Sequence, residues 1–432
     1  MPRTDAQRTE LGWRGVAYLL PLFLALVATT ISLKQGQWMD VTVQSQQHGD
    51  PIRPYVFGPI YLTAFILLLC RATDALKRMR RHWPYLFFLL YALATIGWSW
   101  HPFKVLIVFG HLVGGYLVCL CAALALKNRE RLLFRTLALF SSLAVLTTLV
   151  TVAFFPSRGI MEIGDTLRWV GLAPNPNTLG MALLLAVWVG LVRFFYEENT
   201  AVRISSLALV ILGAVCLYGS DSMTSSLLAL LITATLPLLM VVGRRSPMVA
   251  FLTGFFSLSI FSVSSLMAYL ARPDLFLTEK FFTAIGRTST FTGRTGLWKV
   301  AVQAIRERPL LGWSFDARLS VSDKYLFHAG HFHNGYLELL VAGGLLGLMF
   351  VAALITQIAF YLMRMLAWNR RLFAAYAVLL MVILIHNITE DSIGTSPHVF
   401  WILFTLLYIE ITGAEGSPYH REHPVPGTAT NT

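Results

Sequence analysis

Long apolar runs, most of them about twenty residues in length, alternate along this chain with short polar or Gly/Pro-containing stretches. A helix that crosses a bilayer core of roughly 30 Å needs about 20 apolar residues, so each run predicts one transmembrane helix. The pattern therefore predicts an all-α polytopic integral membrane protein with about 12 transmembrane helices. The predicted helices are centred near Leu24, Ala64, Leu90, Gly115, Leu143, Ala186, Leu212, Ile232, Leu258, Met349, Val382 and Phe404.

The same pattern divides the chain into four segments. Helices 1 to 9 are expected in residues 1–270, one large loop in 271–335, helices 10 to 12 in 336–413, and a polar tail in 414–432. The first apolar run is too long for a signal-peptide core and lacks a clear cleavage site. We therefore expect it to remain as the first membrane helix.

Composition agrees with a lipid environment and narrows the function classes. Hydrophobic residues fill 56% of the 432 positions and charged residues 13%, which is too little polar surface for a water-soluble protein. The net charge of +12 lies in short clusters between apolar runs, so no nucleic-acid partner is expected. All 4 cysteines lie within apolar runs without metal-ligand spacing, which predicts neither a disulfide framework nor a zinc site.

Lys and Arg are distributed unevenly between alternate loops. The N-terminus, every second loop and the tail carry 20 of them, whereas the other short loops carry 5. Because cytoplasmic loops carry the cationic excess, both termini are predicted to be cytoplasmic and residues 271–335 to lie on the outer side. Within that loop, Leu297, Val300, Ala301 and Ile305 recur at helical spacing. They predict an amphipathic helix lying flat on the outer leaflet, with Trp298 at headgroup depth.

Three polar stretches fall on this outer side: Arg168–Gly180, Gly286–Trp298 and His328–Leu340. Arginine presents a planar fork that pairs with two phosphate oxygens, and such forks stabilise the charge that builds on a departing pyrophosphate. The candidates for this role are Arg168, Arg287 and Arg294. The alternative is that each arginine reaches lipid headgroups or pairs with a nearby acid.

Histidines in the third stretch are candidates for proton transfer. Asn334 is suited to cap the next helix, which places His333 at a helix N-terminus, where positive charge favours the neutral imidazole that a general base needs. The alternative is a histidine that only bonds to loop backbone. His328 and His331 are weaker candidates for the base. No metal is expected, because no pair of outward acids with D-x-D spacing accompanies these histidines.

Four acidic residues remain without an assigned role. Glu338 lies one turn into a membrane helix, where a carboxylate must face the protein interior. Asp221, Glu390 and Asp391 are suited to binding sugar hydroxyls, but as residues near helix ends they are expected to be solvated.

Short motifs occur in a fixed order: Arg-x-x-Gly with a following Pro-Asn, then Thr-Gly-Arg-Thr-x-Leu-Trp, then His-Asn-x-Tyr-Leu-Glu-Leu with Gly-Gly-Leu-Leu-Gly downstream. This order resembles the O-antigen ligase and polymerase family of bacterial membrane glycosyltransferases. The resemblance covers roughly Arg168 to Leu366. One departure is Gly219–Ser226, where many relatives have Ser-Arg. The motif residues are Arg168, Gly171, Pro176 and Asn177, then Thr292 to Trp298, then His333 to Leu339 and Gly343 to Gly347.

The resemblance implies a GT-C-like fold in the bacterial inner membrane, with the active site in the periplasm. It also implies an undecaprenyl-pyrophosphate-linked glycan donor and metal-independent transfer without a cofactor. Direct attack by an acceptor hydroxyl on the anomeric carbon would invert that carbon. Catalytic roles are expected for His333, Arg168 and Arg294, and substrate binding for Arg287, His331, Asn334, Tyr336, Asn177 and Trp298.

Several activities fit this resemblance. A ligase would use lipid A-core as acceptor, a polymerase a second lipid-linked glycan, and a protein O-oligosaccharyltransferase a Ser or Thr. The number of helices, the single large loop and the short tail favour the ligase. The alternative outside the enzyme class is a polyprenyl-glycan transporter, although transporters place ionisable residues near mid-membrane, whereas here they crowd the outer boundary.

Overall fold

The structure is a computed structural model, and it describes residues 12–32, 52–126, 129–163, 166–241, 291–325, 331–394 and 397–413. Within these ranges the chain is almost entirely helical, as the sequence predicts. Besides two single turns, Thr95–Trp98 and Pro156–Gly159, the helices are α1 (Gly12–Thr30), α2 (Arg53–Leu69), α3 (Ala72–Met79), α4 (Trp83–Ala94), α5 (Pro102–Leu126), α6 (Glu130–Phe154), α7 (Pro176–Tyr196), α8 (Thr200–Ser220), α9 (Met223–Val241), α10 (Phe291–Glu307), α11 (Ala317–Tyr325), α12 (Gly335–Trp368), α13 (Arg370–Thr389) and α14 (Val399–Gly413).

Helix length and composition confirm a polytopic membrane protein. Seven described helices, namely α5 to α9, α12 and α13, are long and apolar enough to cross a bilayer. The number becomes eight if α2 and α3, which meet at 102°, form one broken span, while α1, α4 and α14 are shorter apolar helices. Each predicted centre lies inside a described helix except Leu258, which is outside the described residues. The number twelve itself stays a prediction.

The bundle has an inner layer and an outer layer. In α7 and α13, 78% of the most apolar window is buried within the protein, whereas in α8 the share is 28%. A helix that is apolar all round is suited to the interior of a bundle, and one that exposes Leu and Ile on one face is suited to lipid contact. The lipid-facing surface includes Leu139, Leu146, Ile204 and Ile211, all of them exposed.

A small β-hairpin interrupts the helical pattern before α7. Strands β1 (Ile160–Ile163) and β2 (Thr166–Trp169) are antiparallel, with Ile160 opposite Trp169. The indole of Trp169 lies against Gly219 of α8, where an added Cβ would come within 2.3 Å of the ring. The hairpin was not predicted, because strands of four residues are too short to give a periodic signal. It holds Arg168 beside the end of α8.

Helix α12 is broken at Gly344, inside the Gly-Gly motif. Gly344 has φ 59° and ψ −160°, which is not helical, and a Cβ there would lie 2.4 Å from the carbonyl oxygen of Leu310. The loop 309–314 fills the break. The amides of Trp313 and Ser314 donate to the carbonyls of Val341 and Ala342 at 2.8 and 2.9 Å, and those of Leu345 and Leu346 donate to the carbonyls of Pro309 and Leu310 at 2.8 and 3.2 Å.

The predicted amphipathic helix exists as part of α10, which ends at Glu307, shortly before Pro309. The prediction that its apolar face and Trp298 lie against lipid is wrong. Ala301 and Ala304 pack in a small core with Trp313 of the adjoining loop, and the Nε1–H of Trp298 donates to the carbonyl of Phe332 at 2.9 Å. The apolar face of α10 thus covers the first half of α12 rather than lipid, since protein partners lie close enough to bury it.

Candidate functional site

Three helix ends meet at one end of the bundle. Asn175 caps α7 by accepting the amide of Thr178 at 2.8 Å, and Asn334 caps α12 by accepting the amides of Tyr336 and Leu337 at 3.0 and 3.1 Å. The third end is the C-terminus of α13, where Glu390 is the capping residue. Two helix N-termini at one place favour a bound anion, because their amide dipoles point toward it.

A chain of side chains joins these ends, and we call it the Glu390 chain: Arg168, Asn177, Glu390 and His333. Glu390 lies at its centre, accepting the Asn177 Nδ2 hydrogen at 2.8 Å with Oε1 and lying 3.3 Å from His333 Nδ1 with Oε2. Asn177 Oδ1 in turn accepts from Arg168 Nη2 at 3.4 Å. Residues from the first and third predicted stretches therefore lie together, linked by a carboxylate that the sequence left as solvated. That expectation for Glu390 is wrong, because the residue is 8% exposed.

Arg168 is held mainly by the end of α8. Its Nε donates to the carbonyl of Ser220 at 3.0 Å and its Nη2 to the carbonyl of Asp221 at 2.8 Å. The Asp221 carboxylate lies 3.8 Å from Nε. Asp221 therefore pairs with Arg168, as the alternative for the arginines allowed, although Arg168 lies in β2 and the acid follows the end of α8. A phosphate oxygen that binds Arg168 through these nitrogens has to replace one of these protein oxygens.

His333 adopts an unusual backbone conformation, with φ 50°, in the left-handed region. Such conformations cost about 1 to 3 kcal/mol and persist where surrounding contacts enforce them. Here Gly335, two residues after His333, donates its amide to the carbonyl of Glu390 at 3.2 Å. A Cβ on Gly335 would collide with Asn387 at 1.9 Å, so only glycine fits. Since a carboxylate only accepts, the contact with Glu390 places the proton of neutral His333 on Nδ1 and leaves Nε2 as the acceptor.

His331 lies beside His333, with ring centroids 3.7 Å apart. Its Nδ1 accepts the backbone amide of His333 at 3.2 Å, which fits a neutral ring. Burial lowers the pKa of His331 to about 4, and this outweighs the attraction of Asp391, whose Oδ1 lies 3.8 Å from Nδ1. The contact with Asp391 is therefore not an ion pair at neutral pH.

Behind the histidines lies an ionic network that the sequence did not reveal, and we call it the Arg318 network: Arg318, Glu338 and Asp391. Arg318 Nη2 donates to Asp391 Oδ2, and its Nε lies 3.4 Å from Glu338 Oε2. Although burial opposes ionisation, Arg318 holds the pKa of Asp391 well below its usual range. Glu338 faces the interior as predicted and also accepts the amide of Phe332 at 2.7 Å, so the network fixes the histidine loop.

The remaining predicted residues have structural contacts or lie outside the described part. Tyr336 donates its hydroxyl to the carbonyl of Leu384 at 2.9 Å, and Asn334 and Trp298 hold the backbone as given above. Arg287 and His328 lie outside the described residues. The backbone at Arg294 belongs to α10, but its side chain is also outside the described part.

Two groups of described side chains have ligand atoms within 4.8 Å of one another and could hold a metal ion. They are His331 with His333 and Glu390, and His331 with Glu338 and Asp391. The sequence argument against a metal rested on the absence of a D-x-D pair, and these carboxylates come instead from α12 and from the residues after α13, so the absence of a metal stays a prediction. In the second group Arg318 already provides the cation between the carboxylates. The first group offers two imidazoles and one carboxylate, which suits zinc better than magnesium.

Comparison with known proteins supports a family for this chain. A family model described as O-antigen ligase matches residues 207–352. The exopolysaccharide production protein ExoQ of Rhizobium meliloti (strain 1021) is 27% identical over 382 residues, covering 81% of this chain and 83% of ExoQ. Together these matches support an O-antigen ligase-family protein. The resemblance that the motifs indicated is thereby confirmed.

The region that the O-antigen ligase family model matches includes the histidine loop and Arg318 but ends before α13. Glu390 and Asp391 therefore lie outside the matched region, as do Arg168 and Asn177. A signal for the two acids was present in the sequence, since adjacent carboxylates follow directly after a long apolar run on the predicted outer side. Sequence alone did not show which residues they contact.

Proposed function

We propose that this protein is an O-antigen ligase that transfers a polysaccharide from undecaprenyl pyrophosphate to lipid A-core. The family matches support an O-antigen ligase/polymerase-type membrane enzyme. The observation that carries the proposal is the Glu390 chain, which brings an arginine and an oriented histidine to two helix N-termini. A base beside an anion-binding region is the arrangement that transfer from a lipid pyrophosphate requires.

In the proposed reaction, Nε2 of His333 accepts the proton of an acceptor hydroxyl as its oxygen attacks the anomeric carbon. The Glu390 carboxylate holds the Nδ1 proton and stabilises the imidazolium that forms. The bond between the anomeric carbon and the pyrophosphate oxygen breaks in the same step, and its electrons leave with the pyrophosphate. Attack opposite the leaving group inverts the anomeric centre.

The leaving pyrophosphate is proposed to lie at the N-termini of α7 and α12, where dipoles favour negative charge. Arg168 and Arg294 would bind its oxygens, with a phosphate oxygen replacing a protein oxygen at Arg168. In this proposal Arg168 and Arg294 neutralise the pyrophosphate, and Arg318 already neutralises Glu338 and Asp391. The proposed transfer therefore needs no metal ion.

The polyprenyl tail of the donor is proposed to lie along the apolar bundle, held by burial without sequence-specific contacts. An apolar crevice of about 150 Å³ between α1, α6 and α7 lies next to the loop that joins the hairpin to α7. It is small enough to take only part of the tail, which leaves the remainder in lipid. Its lining includes Val27, Phe140, Leu143, Leu172, Leu179 and Ala182.

The test uses purified full-length protein with a lipid-linked glycan donor and either lipid A-core or a second lipid-linked glycan as acceptor. We expect glycan to appear on lipid A-core as a mobility shift on gels, and we expect the shift to persist in excess EDTA. Transfer that is lost with EDTA and restored by zinc, manganese or magnesium would overturn the metal-free mechanism. Absence of transfer to lipid A-core, with a control ligase active on the same substrates, would overturn the ligase assignment.

A second candidate function is glycan polymerisation, with a second lipid-linked glycan as acceptor. The similarity to ExoQ, a protein named for exopolysaccharide production, favours it. The same assay separates the two, because polymerisation lengthens the lipid-linked glycan and leaves lipid A-core unchanged.

The proposed location is the bacterial inner membrane, with both termini cytoplasmic and the site facing the periplasm. The tests are single cysteines at Lys299, exposed on α10, and at Arg80, exposed at the opposite end, in a background without Cys70. An impermeant thiol reagent added to spheroplasts should label position 299 and spare position 80. The opposite labelling would reverse the orientation.

A further inference from the structure

A basic pocket of about 670 Å³ opens where α6 begins, α7 ends and α12 passes into α13. Four arginines line it, three from the start of α6 and one from the start of α13, together with one glutamate. The volume falls within the range of small-ligand sites. The lining residues that carry the argument are Arg129, Arg131, Arg135, Arg371, Glu130 and Asn369.

This pocket lies across the bundle from the candidate functional site. Helix α7 runs from Asn177 in the site to Tyr196 in the pocket lining, and at roughly 1.5 Å per residue this separates them by about 29 Å. Helix α13 spans a similar distance between Arg371 in the pocket lining and Thr389, the residue before Glu390. The separation matches a hydrocarbon core of roughly 30 Å, so the pocket lies at the level of the opposite headgroups.

The charges in the pocket are not balanced by its acidic residues. Four guanidinium groups face one lining carboxylate, Glu130, and the nearby Glu197 lies 4.0 Å from Arg131 Nε. The side-chain oxygen of Asn369 is already hydrogen-bonded to the backbone, since Oδ1 accepts the amide of Leu372 at 3.0 Å. Four like charges in one concave space repel one another unless an anion enters, and guanidinium forks match phosphate oxygens.

Other arginines at the same end show what the orientation rule alone produces. The guanidinium of Arg203 lies over the ring of Phe194 at 4.8 Å, and that of Arg364 lies over Phe360 at 5.8 Å. Both are exposed residues that line no part of this pocket. A cationic excess in loops therefore explains Arg203 and Arg364 but does not require four arginines to converge on one cavity.

We propose that this pocket binds a phosphate-bearing anion. Two sources offer that chemistry: the headgroup of an anionic phospholipid in the adjoining leaflet, and a soluble phosphate or pyrophosphate. Basic pockets between membrane helices bind anionic headgroups in this way. The site is separate from the proposed transfer site and does not depend on the function proposed there.

The test measures binding to the purified full-length protein in detergent by native mass spectrometry and by the shift of the thermal unfolding midpoint. Three probes are added separately: phosphatidylglycerol, phosphatidylcholine as the neutral lipid, and inorganic pyrophosphate. The variant combines Arg131→Gln with Arg371→Gln, both at exposed positions. The matched control combines Arg203→Gln with Arg364→Gln, which removes the same charge from the same end of the bundle.

We expect phosphatidylglycerol or pyrophosphate to bind the wild type and the control alike, and to bind the pocket variant about 10-fold more weakly, as expected for lost charge-assisted pairs. Phosphatidylglycerol alone showing this pattern identifies the source as lipid, and pyrophosphate alone identifies a soluble anion. Equal binding to all three proteins, equal weakening in the control, or equal affinity for phosphatidylcholine would overturn the proposal. If the double variant does not elute as a folded protein, binding to the single variant Arg371→Gln is measured instead. We expect that binding to be about 3-fold weaker than in the wild type.

Discussion

Two polar assemblies lie side by side at one end of this protein, and they differ in charge balance. In the Arg318 network one guanidinium contacts two carboxylates whose side chains are 4% and 17% exposed. In the Glu390 chain the carboxylate contacts an amide and an imidazole, and the His333 side chain is 29% exposed. In the first assembly the charged groups contact one another, and the second ends at a partly exposed imidazole.

This difference indicates a structural role for the Arg318 network and a catalytic role for the Glu390 chain. Buried ion pairs that satisfy each other contribute to position and order, and removing one partner leaves an uncompensated charge. A histidine that is oriented on one side by a carboxylate and open on the other can exchange a proton with a substrate. We therefore expect the Glu390 chain to control rate and the Arg318 network to control folding of the loop that carries His333.

The largest expected effect is on rate, at His333. A general base contributes about 10²- to 10⁴-fold, so His333→Gln should lower the transfer rate by that factor. Glutamine keeps a hydrogen-bonding side chain of similar reach but takes up no proton near neutral pH. The rate is measured as glycan transferred per minute, with donor binding measured separately and expected to be unchanged.

The control for that experiment is His101→Gln. His101 lies outside both assemblies and pairs with Asp323 at 2.8 Å, so transfer should stay near the wild-type rate. Near wild-type transfer by folded, donor-competent His333→Gln would remove His333 from the chemistry and leave electrostatic positioning as the main device.

The next effect is on stability, at Arg318. Arg318→Met leaves Glu338 and Asp391 without their cation, and such losses reach about 3 to 5 kcal/mol in fully buried pairs. Because the Arg318 side chain is 38% exposed, we expect about 2 to 3 kcal/mol. Chemical denaturation in detergent measures it. Arg308→Met, which removes a guanidinium 4.3 Å from the Trp313 ring, is the matched control and should cost less.

A smaller rate effect is expected at Glu390. Glu390→Gln keeps an oxygen for Asn177 but removes the negative charge beside His333, which should lower kcat roughly 10- to 100-fold, as for other carboxylates that orient histidines. Donor KM should change little, because the carboxylate contacts no donor atom in the proposed mechanism. Asp323→Asn alters the equivalent pair at His101 and should leave kcat intact. A rise in donor KM without a fall in kcat would assign Glu390 to donor binding.

The smallest effect is the pH dependence of stability that comes from His331. The unfolded chain takes up a proton below about pH 6.5, whereas burial lowers the pKa of folded His331 to about 4. Stability is therefore complete above pH 6.5 and is lost as the pH falls toward 4. With screening at a partly exposed ring, we expect a loss of roughly 1 to 2 kcal/mol.

Thermal unfolding midpoints measured between pH 7.5 and pH 4.5 test this expectation. His331→Asn, which keeps an acceptor for the His333 amide and does not titrate, should flatten the curve. Burial also lowers the pKa of His398, so some dependence should remain. An identical curve for the variant would show that His331 is solvated in the folded protein.

The helices were predictable because lipid enforces a simple rule. Backbone groups in a bilayer must form hydrogen bonds within their own helix, so an apolar run of sufficient length forms a transmembrane helix. The position of His333 at a helix start was predicted from Asn334. Local rules also placed Arg168, Asn177 and His333 on one side of the membrane.

The contacts between these residues were not predictable in the same way. Glu390 follows His333 by 57 positions, and their contact depends on how α12 and α13 pack rather than on either sequence alone. The prediction that the apolar face of α10 contacts lipid failed for the same reason. An amphipathic pattern does not show whether lipid or protein covers the apolar face. The break at Gly344 was hidden because the apolar run continues through it.

The break at Gly344 divides α12 into two halves with different neighbours. Two backbone hydrogen bonds, to Val341 and Ala342, join residues 313 and 314 to the half that carries Asn334 and Glu338, so this half is coupled to α10 across the loop. Two more join residues 309 and 310 to Leu345 and Leu346, where the half that continues into the membrane bundle begins. Hydrogen exchange at the amides of Leu345 and Leu346 therefore reports detachment of the loop rather than fraying of a helix end. A displacement of α10 is transmitted to His333 through the first half of α12 and not through the turns that lie in lipid.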